Sequence, residues 1–393
     1  MVKKFFIELF VFLTVIALVG CTDKKVSKPK KIEKVKEDKI TTIMKDMSLE
    51  EKIAQMLILV YKSDTVDDDL ISLLQETSPG GFILMKENIT TYEKTRKFTD
   101  DLKRNSKHPL IISIDQEGGN VQRLNNLSDV KPTNIPFMYD LGQKKDTNLA
   151  YDTGKVMALE LRSIGVNVDF APDIDVYSNP NNTVIGRRSF GSDAEVVSMM
   201  ATSLAKGLED NKVVPAYKHF PGHGDTDVDS HVSLPILNKG YDDLDSLDFV
   251  PFKKAVEEKA KMIMVGHIAV PSITSDNTPA SLSKQIIDIL KNDLNYDGLI
   301  VTDALNMGAL TENYTNEEIY TRAIEAGCDL LLMPSSSKEA TEIIKNNISE
   351  ERIDESVRKI LKFKYDYLEE DNSVDSSYLG SEEHKNIISK ITG

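Results

Sequence analysis

Residues 218–231 read KHFPGHGDTDVDSH and hold three of the chain's six histidines, three aspartates and a lysine. Pro221, Gly222 and Gly224 break any helix there, so these side chains must be presented from a strand end and a loop. Metal ligation, phosphate cradling and proton transfer all suit such a composition. A metal would use His219 and His223, whose four-residue spacing gathers ligands on a helix that cannot form here. Asp225, Asp227 and Asp229 mimic the start of a calcium loop, but that loop needs Gly at its sixth position and Glu at its twelfth. Ser230 and Ile236 stand there instead. No protein-bound metal and no cofactor is expected.

Proton transfer fits better. Asp229 and His231 are two apart, and in an extended segment such side chains point the same way. The carboxylate could hold one imidazole nitrogen and leave the other to move a proton near neutral pH. Alone, an Asp-x-His would read as a loop histidine satisfying backbone carbonyls. Other segments carry comparable chemistry. IDQEGGNVQRL (114–124) places Asp115 before Glu117 and two glycines, with Arg123 eight residues on; a turn with a surface ion pair is the plain account. GLIVTDALNMGAL (298–310) places Asp303 where a helix N-cap could also stand. NNTVIGRRSFGSD (181–193) puts Arg187 and Arg188 on a loop, by default a solvated pair.

Positioning these groups falls to short apolar runs at 55–61, 80–85, 109–115, 165–172, 213–219, 262–267, 298–303 and 328–334. Segments of helical periodicity lie between them, among them 149–164, 194–210 and 316–327. Continuous apolar strands alternating with helices predict a parallel sheet covered on both faces. Eight runs predict an α/β fold of the (β/α)₈ TIM-barrel type with one catalytic domain; an open doubly wound sheet is the alternative. No GxGxxG or GxxxxGK follows an early strand, which disfavours nucleotide binding. Asp115, Asp173, Lys218, His219, His267 and Asp303 fall at or just after the C-terminal ends of runs, where the loops of a barrel converge on one mouth. The tail helix at 349–368 is expected to close the domain.

The 393 residues carry a net charge of −15, which argues against nucleic acid as a partner. MVKKFFIELFVFLTVIALVGC has early lysines and a short apolar run, the pattern of a secretory signal. Its Leu18-Val19-Gly20-Cys21 resembles the lipobox of bacterial lipoproteins, which implies a lipid on Cys21 and an extracytoplasmic, membrane-anchored protein. Residues 22–39 hold eight lysines and four acids and read as a solvated tether. Cys328 is the only other cysteine and reads as a small core residue. The expected organisation is signal 1–21, tether 22–41, catalytic domain 42–368 and a polar tail with a short helix at 369–393.

KHFPGHGDTDVDSH, IDQEGGNVQR, IGRRSFG and GLIVTDALNMGAL together resemble the bacterial β-N-acetylglucosaminidases of glycoside hydrolase family 3, over roughly residues 42–365. The resemblance implies a retaining glycosidase with a covalent intermediate. Asp303 would be the nucleophile, and His231, oriented by Asp229, the general acid and then base. Asp115, Arg123, Arg188, Lys218 and His219 would bind the sugar; His223 is left to loop structure. The implied form is single-domain, and the implied substrate is N-acetylglucosamine at the non-reducing end of a wall glycan or muropeptide. A monomer is expected. Phosphorolysis at the same residues, or an inactive sugar-binding lipoprotein, are the competing functions.

Overall fold

The computed structural model describes residues 39–227, 230, 233–369 and 374–393. Cys21, Asp229 and His231 lie outside the described residues. The chain divides into two units, 1–42 and 43–393. Of the first, residues 39–42 are described and are helical. The rest of the description concerns the second.

Helix α1 (Leu49–Gln55) begins with a reciprocal cap. Ser48 Oγ accepts from Glu51 N at 3.2 Å, and the Glu51 carboxylate accepts from Ser48 N at 2.8 Å. This satisfies amides that the first turn leaves without partners. Strand β1 (Leu57–Val60) follows, then α2 (Asp68–Glu76), β2 (Gly81–Ile83), α3 (Tyr92–Asn105) and β3 (Ile111–Ile114). A hairpin of β4 (Gln116–Gly118) and β5 (Val121–Gln122) comes next, then α4 (Met138–Lys144), α5 (Thr147–Ser163), β6 (Val168–Asp169) and α6 (Ala194–Asp210). After these come β7 (Val214–Phe220), α7 (Val250–Glu257), β8 (Met262–Val265), β9 (Leu299–Thr302), α8 (Asn316–Ala326) and β10 (Leu331–Leu332). Helices α9 (Ser337–Asn347), α10 (Glu350–Tyr367) and α11 (Glu382–Thr392) complete the chain.

Eight strands run parallel in the order β10-β1-β2-β3-β6-β7-β8-β9. A parallel bridge between Val301 and Leu330 joins the two ends of that order, reinforced by Thr302 N donating to Leu330 O at 3.0 Å. The sheet is thus a closed α/β barrel, and the open doubly wound alternative is set aside. Strands β1, β3, β8 and β9 read LILV, IISI, MIMV and LIVT with no polar alternation. One face fills the barrel and the other meets helices, so neither can be polar.

Helices α5 and α6 lie side by side in close backbone approach. A Cβ at Gly154 would stand 2.0 Å from Leu204 O, and one at Gly207 would stand 2.1 Å from Tyr151 O. Any larger residue there would push the two helices apart.

The apolar runs at 165–172 and 328–334 shorten to two paired residues each. At β6 the cause is visible. Asn167 donates to Leu110 O and accepts from Ile112 N, each at 2.8 Å, and Asp169 accepts from Gln116 N at 2.9 Å. Side chains there take over ladder bonds that backbone would otherwise make.

The C-terminal segment, read from sequence as a polar tail with a short helix, forms that helix at Glu382–Thr392 and packs within this unit. His384 Nδ1 lies 3.0 Å from Glu160, whose carboxylate also accepts from Thr133 N and Gly380 N at 3.0 Å. Cys328 is fully buried, as expected of a core residue, and burial pushes its thiol up to about 12.

Candidate active site

The sugar-binding and nucleophilic candidates among the described residues reach one mouth, four of them because their strands end there and two by way of loops. Asp115 follows β3 and Asp303 follows β9, while Lys218 and His219 stand near the end of β7. Asp173 pairs in a parallel bridge with Lys218, beyond the last residue of β6. Arg188 closes the short turn Gly186–Arg188. Arg123 arrives by the β4–β5 hairpin, whose turn uses Gly118 at φ 101° and Gly119 at φ 56°. That reversal returns Arg123 to within 3.8 Å of Asp115. Asp115, Arg123, Arg188, Lys218, His219 and Asp303 line a single cavity of about 340 Å³. Ser230, which stands between Asp229 and His231 in the chain, lines the same cavity.

The floor of the cavity is an alternating charge network. Arg188 grips Glu117 with Nε at 2.7 Å and Nη2 at 2.9 Å. Lys218 Nζ sits 2.5 Å from Glu117 and 3.1 Å from Asp115. Burial alone would raise the Glu117 carboxyl, but Arg188 and Lys218 hold it well below the usual carboxylate range. Burial would lower the Lys218 ammonium, and Glu117 and Asp115 push it above its ordinary value instead. Both cations therefore stay charged, and they hold Asp115 and Glu117 in place.

Behind this layer lies a histidine pair on a shared carboxylate. Asp175 accepts from His223 N at 2.6 Å and contacts His219 Nδ1 at 2.8 Å. Since a carboxylate can only accept, His219 Nδ1 donates, leaving Nε2 able to accept from a ligand hydroxyl. Burial pushes both imidazoles down to about 4, so they are uncharged at neutral pH. His223 Nδ1 lies 2.6 Å from Thr226 Oγ1, and its Nε2 lies 3.4 Å from Ser230 Oγ. The ring therefore braces the loop that carries Asp229 and His231. Ligand atoms of Asp173, Asp175 and His219 come within 4.8 Å of one another, close enough to hold a cation. Asp175 already serves both histidines, however, and Arg188 Nη2 brings a positive charge within 3.4 Å of Asp173, although Asp173 Oδ2 itself makes no hydrogen bond. The donor set fits a hydrogen-bonded support better than a metal centre.

Asp303 stands half-buried at the end of β9. Its backbone N donates to Val265 O at 2.9 Å, and its Oδ1 accepts from Ala304 N at 2.7 Å. Burial would raise its carboxyl, but His219, His267, the Ala304 amide and Lys218 together hold it below the ordinary value. His267, at the end of β8, donates from Nε2 to Ala304 O at 3.0 Å and meets Ser281 Oγ at 2.7 Å. It thereby fixes the peptide on which Asp303 is mounted. An ionised, oriented carboxylate facing a cavity rich in hydroxyl-binding groups can act as a nucleophile toward a sugar.

Two supporting residues escape a reading of the sequence. Glu117 looks like half of a surface ion pair, yet it is a buried anion that Lys218 and Arg188 share. Asp175 belongs to no recognisable motif; the only hint is its spacing from Asp173 in APDIDVYS.

Comparisons with known proteins place the chain in a family. Residues 48–363 match the glycosyl hydrolase family 3 N-terminal domain. The chain is 33% identical to beta-hexosaminidase LpqI of Mycobacterium tuberculosis, over 73% of this chain and 73% of that protein. It is 31% identical to beta-hexosaminidase A of Pseudoalteromonas piscicida over 83% of this chain, spanning 60% of that relative's length. The solved glycoside hydrolase family 3 beta-N-acetylglucosaminidase from Paenibacillus sp. str. FPU-7 superposes with a TM-score of 0.83 at 34% identity, covering 88% of this chain and 68% of that one. With a family match over most of its length and a closed barrel whose mouth gathers the motif residues, this chain belongs to glycoside hydrolase family 3.

Proposed function

We propose that the protein is a retaining exo-β-N-acetylhexosaminidase that removes terminal β-linked N-acetylglucosamine from cell-wall fragments or related glycans. One observation carries the reading: Asp303, its carboxyl held below the usual range, opens onto the same cavity as Asp115, Arg188, Lys218 and His219. In the first step the Asp303 carboxylate attacks the anomeric carbon, and the bond to the leaving oxygen breaks as His231 gives that oxygen a proton. In the second, His231 takes a proton from water, the water oxygen bonds the anomeric carbon and Asp303 departs. Asp229 orients His231 throughout. The position of Ser230 on the cavity wall supports these roles for its two neighbours. Asp115, Lys218 and His219 bind ring hydroxyls, and Arg123 and Arg188 bind hydroxyl or acetamido oxygens.

The location is part of the proposal. A lipid on Cys21 and the lysine-rich stretch after it would hold the enzyme on the extracytoplasmic face of the membrane, where wall fragments are produced.

The test is turnover of a GlcNAc–MurNAc disaccharide and of chitobiose, followed by mass spectrometry in phosphate-free buffer. Free N-acetylglucosamine is the expected product. Its replacement by N-acetylglucosamine 1-phosphate when phosphate is added would make the enzyme a phosphorylase. Failure to cleave either substrate would overturn the assignment.

A further inference from the structure

The loop between β7 and α7 begins and ends on the same buried aspartate. At its start, Gly222 adopts φ 129°, and a Cβ there would stand 2.8 Å from the Cβ of Asp248. The chain turns against Asp248 so closely that only glycine fits. At the loop's far end, Lys239 Nζ lies 2.7 Å from Asp248 Oδ2 and 3.2 Å from Asp225 Oδ2. Asp248 has a fully buried side chain, and its other carboxylate oxygen has no hydrogen-bond partner. Lys239 is itself 13% exposed, so its ammonium is largely withdrawn from solvent. A lysine in that position is held by its anions rather than by water.

The two limbs of the loop are otherwise fastened to different neighbours. The first limb is bonded to the segment that leads to Arg188. Asn179 donates to Asp225 O at 3.4 Å and to Asp227 Oδ1 at 2.5 Å, and Asn182 donates to His223 O at 2.7 Å. The second limb is bonded to the segment after β8, through Leu237 N to Ala269 O at 2.8 Å and Ala269 N to Pro235 O at 2.9 Å. Lys239 bridges the limbs by pairing with Asp225 on one and emerging from the other.

We propose that Lys239 is a positioning residue for the acid/base loop: by tying Asp225 to Asp248 it fixes both ends of the segment that carries Asp229 and His231. This rests on the reading of His231 as the proton donor. A proton donor must meet the leaving oxygen within hydrogen-bond reach, and small displacements cost large factors in rate. Joining the ends of residues 226–238 limits the space that the segment can sample. The tether thus acts on proton delivery, while Asp115, Lys218, His219 and Asp303 are mounted on strands or directly after them.

Asp225→Asn is the informative variant, because it removes the loop-side anion and leaves the buried Lys239–Asp248 pair whole. We expect hydrogen–deuterium exchange across 226–238 to quicken by about tenfold, a local opening with little change in global unfolding. We expect kcat/KM on chitobiose to fall about tenfold, and on an activated dinitrophenyl glycoside by less than about twofold, since only the first leaving group needs a proton. Asp225→Glu should restore most of the loss. His231→Ala, assayed beside it, separates the two ideas. If His231→Ala discriminates between leaving groups and Asp225→Asn does not, or if exchange across 226–238 is unchanged, Lys239 has no positioning role and the acid/base reading stands. If His231→Ala loses equally on both substrates, the acid/base reading fails and takes the positioning role with it.

Discussion

Glu117 and Arg188, 71 residues apart in the chain, meet in a two-point ion pair of 2.7 and 2.9 Å in the wall of the candidate cavity. Lys218 shares the same carboxylate at 2.5 Å. Glu117 therefore places two proposed ligand-binding cations without being assigned a contact of its own. Glu117→Gln would leave both cations short of an anion in a buried site. A cost of about 3–5 kcal/mol in stability is expected, with kcat/KM reduced by roughly a hundredfold or more. The sign with pH follows from the depressed carboxyl. Its contribution is complete above the ordinary value of 4.5 and is lost as pH falls below it. Denaturant melts at pH 6 and pH 3.5 should show the wild type losing more stability than the variant; parallel losses would show that this pair does not govern the acid limb.

Asp303 makes a second prediction. Asp303→Ala should lower turnover of a chromogenic β-N-acetylglucosaminide by about 10⁴-fold or more, with the fold and sugar affinity retained. Azide, a small anion able to enter the vacated position, should restore part of the rate and yield a glycosyl azide of inverted configuration. Because the carboxyl is held below 3.8, the wild type should keep its nucleophile ionised down to that pH. Undiminished activity in the alanine variant would reject the assignment.

Burial makes His223 harder to protonate than an exposed histidine. Burial lowers it from 6.5 to about 4, so between those values the unfolded chain binds a proton that the folded protein refuses. Its share of stability is full above pH 6.5 and declines as pH falls toward 4, by up to about 3 kcal/mol. Urea titrations of wild type and His223→Asn at pH 7 and pH 4.5 would measure it. The advantage of the wild type over the variant should shrink at the lower pH, and a gap independent of pH would contradict the buried neutral ring.

The anchor is tested by Cys21→Ser. If a lipid on this thiol holds the protein to the membrane, the variant should move from the membrane fraction to the soluble one, with specific activity unchanged. An unaltered partition would dismiss the lipobox reading.

The barrel was legible because strands buried on both faces are written as unbroken apolar runs. IISI at 111–114 and LIVT at 299–302 could hardly be anything else. The strand ends are legible for the same reason, so the sequence places Asp115, Lys218, His219 and Asp303 at one rim. The true lengths of β6 and β10 were not. Asn167 and Asp169 replace backbone ladder bonds with side-chain bonds, and nothing in their spacing announces it.

Local sequence thus determined which end of the barrel the candidate residues share, because periodicity and strand termini are properties of neighbouring residues; the roles proposed for them rest on the family resemblance. Tertiary structure alone decided how they are supported. Glu117 could equally have been a solvated turn residue, Asp175 a loop carboxylate and Lys239 a surface lysine. Glu117 and Asp175 acquire their roles only when closure of the barrel brings partners tens of residues away within hydrogen-bond distance in a buried place, and Lys239 only when its loop folds back on Asp225 and Asp248.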